Sequence, residues 1–589
     1  MSAAETLITE HLDTWTSAIK AKSSAGRGGG KKEEFYGIKK LRELILELAV
    51  RGLLVSQDPK DEPASELLKK ISKEKAHLVK EGKLKKPKKL PPPSDGQLLF
   101  KVPPGWVWVR LGDAVNKITD GTHHSPPNTD TGDYLYISAK NIKNDGVQTS
   151  NATFVTKEVH DEIYSRCDPE FGDILYIKDG ATTGIATIND LNVPFSMLSS
   201  VALLKCPRGI LNSYLLLSLR APYFYQEMRA GMTGVAITRV TLKKLDYALL
   251  SLPPLAEQQR IVAKVEKLMA LCDQLEQKQE DSVRTHGALV ETLLGALTAA
   301  SERGAFAEAW QRIASHFDTL FTTESSIDQL KQTILQLAIM GKLVEQDPGD
   351  ESAEKIIKNL TLERNRLIKE KVIPKAKKLE SPREKPHTVP STWCWTQLGS
   401  LTHLIEYGTS QKSNDDPSKV PVYRMGDIKE GSLYDDKLKF VPPDIDDLPR
   451  LFLEPTDILF NRTNSAELVG KAAIFKGTPN THTFASYLIR VRVPAQFLKP
   501  EFINLCFQAP YFRVTQIDPE IIQQCGQANF NGTKLAHTLF PIPPLAEQLR
   551  IVAKVDELMA LCDQLKASLA TAQATQLNLA DTLVEQAIG

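Results

Sequence analysis

No apolar run in the 589 residues approaches the roughly 18 needed to cross a bilayer, and Met1 to Lys20 lacks the basic-then-apolar layout of a secretory leader. A cytoplasmic protein is expected. Cysteine is scarce: the seven residues at 167, 206, 272, 394, 506, 525 and 562 never fall as CxxC. This argues against a zinc ribbon or a disulfide framework and for reduced, mostly buried thiols. Excess charge of either sign is missing too, with 73 basic residues against 72 acidic and a net charge of +1. Whole-chain electrostatics therefore give no nucleic-acid signature.

Local catalytic signatures are absent as well. There is no GxGxxG, GxxxxGK[ST] or HExxH, and the run Gly26 to Gly30 leads to Lys32 where a phosphate loop needs Ser or Thr. The string Ser125-Pro126-Pro127-Asn128 has neither the acidic or amide lead nor the ring of an amino-methyltransferase tetrad. His123 and His124 are adjacent, so on an extended loop they point apart, and no third ligand stands nearby. No metal site and no catalytic residue is expected, although a scattered triad leaves no local signature. What remains is the composition of an ordinary globular chain, 42% hydrophobic and 25% charged, long enough for several domains.

The chain is written twice. Pro253 to Leu275 reads PPLAEQQRIVAKVEKLMALCDQL and Pro543 to Leu565 reads PPLAEQLRIVAKVDELMALCDQL, differing at three of 23 positions. LELAVRGLLVSQDP at 46–59 is matched by LQLAIMGKLVEQDP at 335–348. Weaker echoes pair Trp106 and Trp108 with Trp393 and Trp395, and Ala221-Pro-Tyr-Phe224 with Ala509-Pro-Tyr-Phe512. A period near 290 is too long for a solenoid and marks a duplicated domain-plus-helix module with pseudo-two-fold character.

Each near-identical segment opens with Pro-Pro and an early glutamate, which suits a helix first turn. From there apolar residues alternate by four and three: Ile261, Val265, Leu268, Cys272, Leu275, then Leu289 and Leu293 after a polar stretch. The twin runs Ile551, Val555, Leu558, Cys562, Leu565, then Leu579 and Leu583. That seam predicts two long helices, each on the order of 50 Å at 1.5 Å per residue, pairing as an antiparallel coiled coil. Packing of each helix on its own domain is the alternative.

Further helices are predicted over Met1 to Lys22, Gly37 to Val55 and Ala64 to Gly82, with a flexible linker at Gly26 to Gly30. Lys69 to Lys89 carries ten lysines against two acids, either a solvated face or a non-specific phosphate contact. Strands are predicted at 134–138, 173–177, 201–205, 420–425, 457–460 and 488–493. The expected organisation is α+β: a helical region with basic linker at 1–100, a mixed α+β domain at 101–252, and a central helical region at 253–385. A second α+β domain at 386–542 and a last long helix at 543–589 complete it. The central region is expected to hold the spacer helix 253–297 and helices 326–345 and 352–371.

Two dissimilar α+β domains, each followed by PPLAEQ-R-IV-K, resemble the specificity subunits of type I restriction-modification enzymes over nearly the whole chain. The LA-G-LV-QDP blocks with Gly52 and Gly341 resemble that family's non-variable regions in members with a long N-terminal arm. The resemblance implies a non-catalytic subunit whose two target recognition domains each bind one half of a bipartite double-stranded DNA site, while the helices set their separation. It also implies two adenine-methylating subunits and two ATP-driven restriction subunits as partners, which would bind S-adenosylmethionine, ATP and Mg2+. The dissimilar domains imply an asymmetric target.

Candidate base-reading residues in the first domain are Thr119, Gly121, Thr122, His123 and His124, a loop resembling the family's DGTH-type stretch, with Lys140, Asn141, Lys178, Thr182, Thr183 and Arg239. In the second they are Tyr407, Thr409, Ser410, Lys412, Arg424, Asn461, Arg462, Thr463, Asn464, Asn529, Asn531 and Lys534. A protein-binding scaffold and an enzyme acting alone on DNA are the other functional classes; sequence-specific binding and partner-free turnover distinguish them.

Overall fold

The computed structural model describes residues 6, 9–22, 32–86, 89–230, 239–375, 379–380, 384–524 and 527–588. The expected linker at Gly26 to Gly30, Cys525 and Arg383 lie outside them. The chain is mixed α+β and divides into two compact units, Met1–Ser282 with Ala572–Gly589, and Val283–Thr571. Its principal helices are α1 (Tyr36–Val50), α2 (Ala64–Lys80), α3 (Asn212–Arg220), α4 (Leu255–Ala299), α5 (Glu324–Ile339), α6 (Ala353–Lys369), α7 (Pro500–Gln508) and α8 (Leu545–Ile588). Among the described N-terminal residues, Leu12–Ser17 is helical, but Lys20–Lys22 is a strand paired with Lys32–Glu34 rather than the end of the expected helix.

The repeated motifs are structural ties. Gln258 and Gln548, in the first turns of α4 and α8, each accept a backbone N–H just before another helix, Leu211 N at 3.0 Å and Lys499 N at 2.8 Å. Glu257 accepts the Trp106 indole N–H at 2.9 Å and the Gln57 amide at 2.9 Å, and Glu547 accepts the Trp393 indole at 3.0 Å. Arg260 reaches Asp61 and Arg550 reaches Asp350, both at 2.6 Å. Helices α1 and α5 end on Gly52 and Gly341, at φ 71° and 69°, the left-handed C-terminal turn that favours glycine. An added Cβ there would meet Pro103 at 2.4 Å or Pro390 at 2.6 Å.

Both units carry one sheet plan. Strands β1 (Lys117–Asp120), β2 (Ile174–Ile177) and β3 (Val201–Lys205) belong to an antiparallel sheet ordered Ala186–Ile188, β2, β3, β1. Strands β4 (Leu404–Tyr407), β5 (Ile458–Asn461) and β6 (Leu488–Arg492) repeat it in the order Ala472–Ile474, β5, β6, β4. A three-stranded sheet with one parallel pair accompanies each: Phe195–Met197, Tyr134–Ile137, Thr153–Val155 and Thr483–Phe484, Val420–Tyr423, Lys439–Val441. Alternate side chains point to opposite faces of a strand. Ile174, Tyr176, Ala202 and Leu204 accordingly join Leu67, Ile71, Leu215 and Leu219, while Leu175, Ile177, Val201 and Leu203 join Phe195 and Met197. Burial on both faces explains why these strands read as continuous apolar runs.

Each unit combines the first part of one long helix with the last part of the other. In the first, Ile261, Val265, Leu268 and Cys272 of α4 and Ala580 of α8 share a core with Leu41, Ile45 and Leu48 of α1. Arg42 bonds Asp273 at 2.7 Å and Glu276 at 2.6 Å, and Tyr36 donates to Asp581 at 2.8 Å, so α1 ties the two segments. In the second, Val290, Leu294 and Leu297 of α4 and Ile551, Val555 and Cys562 of α8 pack with Ile327, Leu330 and Ile334 of α5. Leu275, Leu293, Leu558, Leu565 and Leu583 are partly buried beside these cores.

The expected seam changes register beyond the polar stretch. Leu289 and Leu579 are 49% and 50% exposed, and the adjacent Val290 and Ala580 are buried in their place. Cys272 to Val290 and Cys562 to Ala580 are each eighteen residues, which is about five turns of a 3.6-residue helix. A strict heptad repeat drifts by about 20° per heptad against that geometry.

Candidate nucleic-acid interface

At the end of β1 the side chain of Asp120 is only 4% exposed and is surrounded by cations. Lys178, immediately after β2, lies 3.3 Å from one carboxylate oxygen; Arg166 and the His123 imidazole lie 3.1 and 3.5 Å from the other. Asp179 adjoins Lys178 at 3.6 Å and receives Arg239 Nε at 3.0 Å. Two carboxylates thus hold three basic side chains, Lys178, Arg166 and Arg239, beside an exposed imidazole. The arrangement is a locally positive surface on an otherwise neutral chain, suited to phosphates and to guanine edges.

The second domain builds the same place without carboxylates at the equivalent positions. Tyr407 ends β4 where Asp120 ends β1: Asp120 is paired with Ala202 and Tyr407 with Ile489. Arg462 follows β5 as Lys178 follows β2, and its guanidinium lies 5.0 Å from the centre of the Tyr407 ring. Where Asp179 faces Arg239, Thr463 faces Asn529 and donates to its side-chain oxygen at 2.8 Å. The Tyr407 hydroxyl accepts Gly532 N–H at 2.7 Å, and Asn531 caps the helix Gly532–His537.

Tertiary structure therefore gathers His123, Lys178 and Arg239 in one domain and Tyr407, Arg462, Thr463, Asn529, Asn531 and Lys534 in the other. Thr119 lies half-buried on β1, while His124, Thr182, Ser410 and Lys412 are exposed in neighbouring loops; Asn464 is half-buried and accepts Ser465 N–H at 2.9 Å. Lys140 is exposed in the short 3-10 helix Ala139–Asn141, Arg424 is half-buried just after the strand Val420–Tyr423, and Arg424 donates to Lys437 O at 2.7 Å.

Several expected readers serve the fold instead. Gly121 permits a close crossing, since an added Cβ would lie 1.8 Å from Met197 O, as one at Gly408 would lie 2.2 Å from Phe484 O. Thr122 and Thr409 complete that crossing through backbone bonds of 2.9 Å, and the buried Thr409 hydroxyl donates to Asp447 at 2.7 Å. Asn141 and Asn461 are fully buried and satisfy the carbonyls of Gln148 and Leu468 at 3.0 and 3.1 Å. Thr183, also buried, donates to Gly180 O at 2.7 Å. Lys178 is 2% exposed, so it acts through its carboxylate neighbours, and Lys534 is spent on Glu520 O at 2.6 Å. Most buried polar groups are paired, and burial removes them from a groove.

Sequence reasoning missed Arg166, which follows a short helix with no local pattern to mark it. It also missed Tyr225, whose ring covers Gly184, and Arg229, whose guanidinium lies 5.3 Å from that ring's centre. Among the described residues no cluster of metal-ligating groups occurs and no helix is long and apolar enough to cross a membrane.

The family model for the type I restriction modification DNA specificity domain matches twice, over residues 103–285 and 390–572. The chain is 38% identical to the type I restriction enzyme EcoAI specificity subunit of Escherichia coli, covering 99% of each. It is 36% identical to the EcoEI specificity subunit of the same organism, covering 100% of each. A chain from a solved type I R-M system overlays 83% of this one and 99% of its own, at 18% identity and a TM-score of 0.48. This chain belongs to the specificity subunits of type I restriction-modification systems, the non-catalytic members that carry DNA sequence specificity.

Proposed function

We propose that this chain reads an asymmetric, bipartite double-stranded DNA target, one half with residues 101–252 and the other with residues 386–542. The carrying observation is a single sheet plan built twice with different side chains at equivalent strand ends: Asp120, Lys178, Asp179 and Arg239 against Tyr407, Arg462, Thr463 and Asn529. A common scaffold with exchanged side chains, some exposed and others supporting them, is what reading two different half-sites requires. The helices α4 and α8 set the spacing and offer docking faces, where Leu289, Leu549, Leu561 and Leu579 are exposed. Two modification subunits and two restriction subunits supply adenine-N6 methylation and ATP-dependent cleavage. S-adenosylmethionine, ATP and Mg2+ bind to them, and the assembly works in the cytoplasm.

Mapping methylated adenines in cells that express this chain with its modification subunit tests the reading. Marks at one split, asymmetric motif, lost on deletion of this chain, are expected. Unchanged methylation in a host whose modification subunit is active would leave a protein-binding scaffold as the better description.

A further inference from the structure

One backbone position in each recognition domain combines exposure, buttressing and topological equivalence. Val240 N donates to Lys178 O at 2.8 Å, and Phe530 N donates to Arg462 O at 2.8 Å. The preceding residues, Arg239 and Asn529, are therefore equivalent, each facing the first residue beyond that carbonyl, Asp179 or Thr463. The following residues are equivalent too: Thr241 and Asn531 cap short helices by accepting Lys244 N and Lys534 N at 3.1 and 2.9 Å. The frame is shared and the two side chains differ in kind.

Arg239 is 51% exposed, whereas Asp179 is 10% exposed and takes only its Nε. Among the described residues, nothing engages its two terminal amino groups. Those are the groups that pair with guanine O6 and N7. Asn529 is half-buried, with its amide oxygen held by the Thr463 hydroxyl at 2.8 Å. A carbonyl oxygen has a second lone pair, so the amide can still accept from adenine N6 while its nitrogen donates to N7. In both domains a less exposed neighbour orients the reading group, which reduces the rotamer freedom lost on binding.

We infer that Arg239, positioned by Asp179, reads a guanine in one half-site, and that Asn529, positioned by Thr463, reads an adenine in the other. The inference rests on the DNA-reading assignment proposed above.

Selection from randomised duplexes, using the complex of the full chain with its modification subunits, tests it. Arg239→Ala should erase preference for one guanine in one half-site, a loss of about tenfold or more in discrimination, and leave the other half-site intact as an internal control of folding. Asn529→Ala should do the same for one adenine in the other half-site. Asp179→Asn and Thr463→Val should weaken discrimination at those same bases several-fold without moving the salt dependence of binding, and Thr463→Ser should restore it. Equal weakening on all sequences by Arg239→Ala would make Arg239 a phosphate contact and overturn the assignment. So would an unchanged guanine preference. A wild-type complex without any sequence preference would overturn the DNA-reading assignment itself, and this inference with it.

Discussion

The two recognition domains share strand order, register and close crossings yet furnish the same site with different side-chain chemistry. In the first, an ion network of the buried Asp120 and Lys178 and the largely buried Asp179 with the half-exposed Arg166 and Arg239 meets at the strand ends. In the second, a stacked Tyr407–Arg462 pair and a Thr463–Asn529 hydrogen bond occupy those positions. What stays constant is backbone geometry: Gly121 and Gly408 each cross a carbonyl too closely for a Cβ. Diversification has run through side chains that face outward or support those that do, while groups that seat the backbone are kept.

The largest expected effect comes from erasing the difference. A chain carrying residues 386–542 in place of 101–252 should direct methylation to a target whose two halves have one sequence; methylation mapping checks it, and a persistent asymmetric motif would break the equivalence. Next are the repeated ties. Trp106→Ala and Trp393→Ala each empty a buried ring site and remove one hydrogen bond from the buried Glu257 or Glu547, and each should cost about 3–5 kcal/mol in chemical denaturation of the purified chain. Near-equal losses would support the repeat; a large disparity would break it.

A smaller effect separates the domains. Lys178→Met removes a buried cation from Asp120 and Asp179 and should cost about 3 kcal/mol, whereas Arg462→Met loses a cation–π contact worth about 1 kcal/mol. Urea midpoints of the two variants test this ranking, and equal losses would remove the electrostatic distinction. The smallest effect concerns pH. Burial raises the Glu257 and Glu547 carboxyls above the usual glutamate range, against the opposing hydrogen bonds from Trp106 and Trp393. A raised folded pKa contributes stability that is present below the unfolded value and lost as pH rises through the folded one. Glu257→Gln and Glu547→Gln keep an acceptor for the indole and should flatten that acid-side slope, as urea midpoints between about pH 4 and 7 would show.

Much of this was legible in advance because it is local or repeated. Pro-Pro with an early glutamate marks the starts of α4 and α8, and apolar runs mark β2, β3, β5 and β6. Helices Arg303–Ser315 and Phe317–Leu320 were not anticipated. At the site, Arg239 and Asn529 were among the candidates but were indistinguishable there from Asn141 and Asn461. Polar residues in loops look alike until their partners are known, and those partners stand far along the chain: Asp179 is 60 residues from Arg239, and Thr463 is 66 from Asn529.

The sequence by itself determined the duplication, the α+β class, the long helices and the family, because identity between two segments and periodic burial are properties of neighbouring residues. Only the tertiary structure decided which side of α4 and α8 is buried beyond the polar stretch, since a 3.6-residue turn and a 3.5-residue seam diverge over eighteen residues. It also decided which polar residues are spent on the fold and which are held at the surface. That division depends on strand pairing across long stretches of chain, which decides which donors and acceptors are buried and what partners they meet.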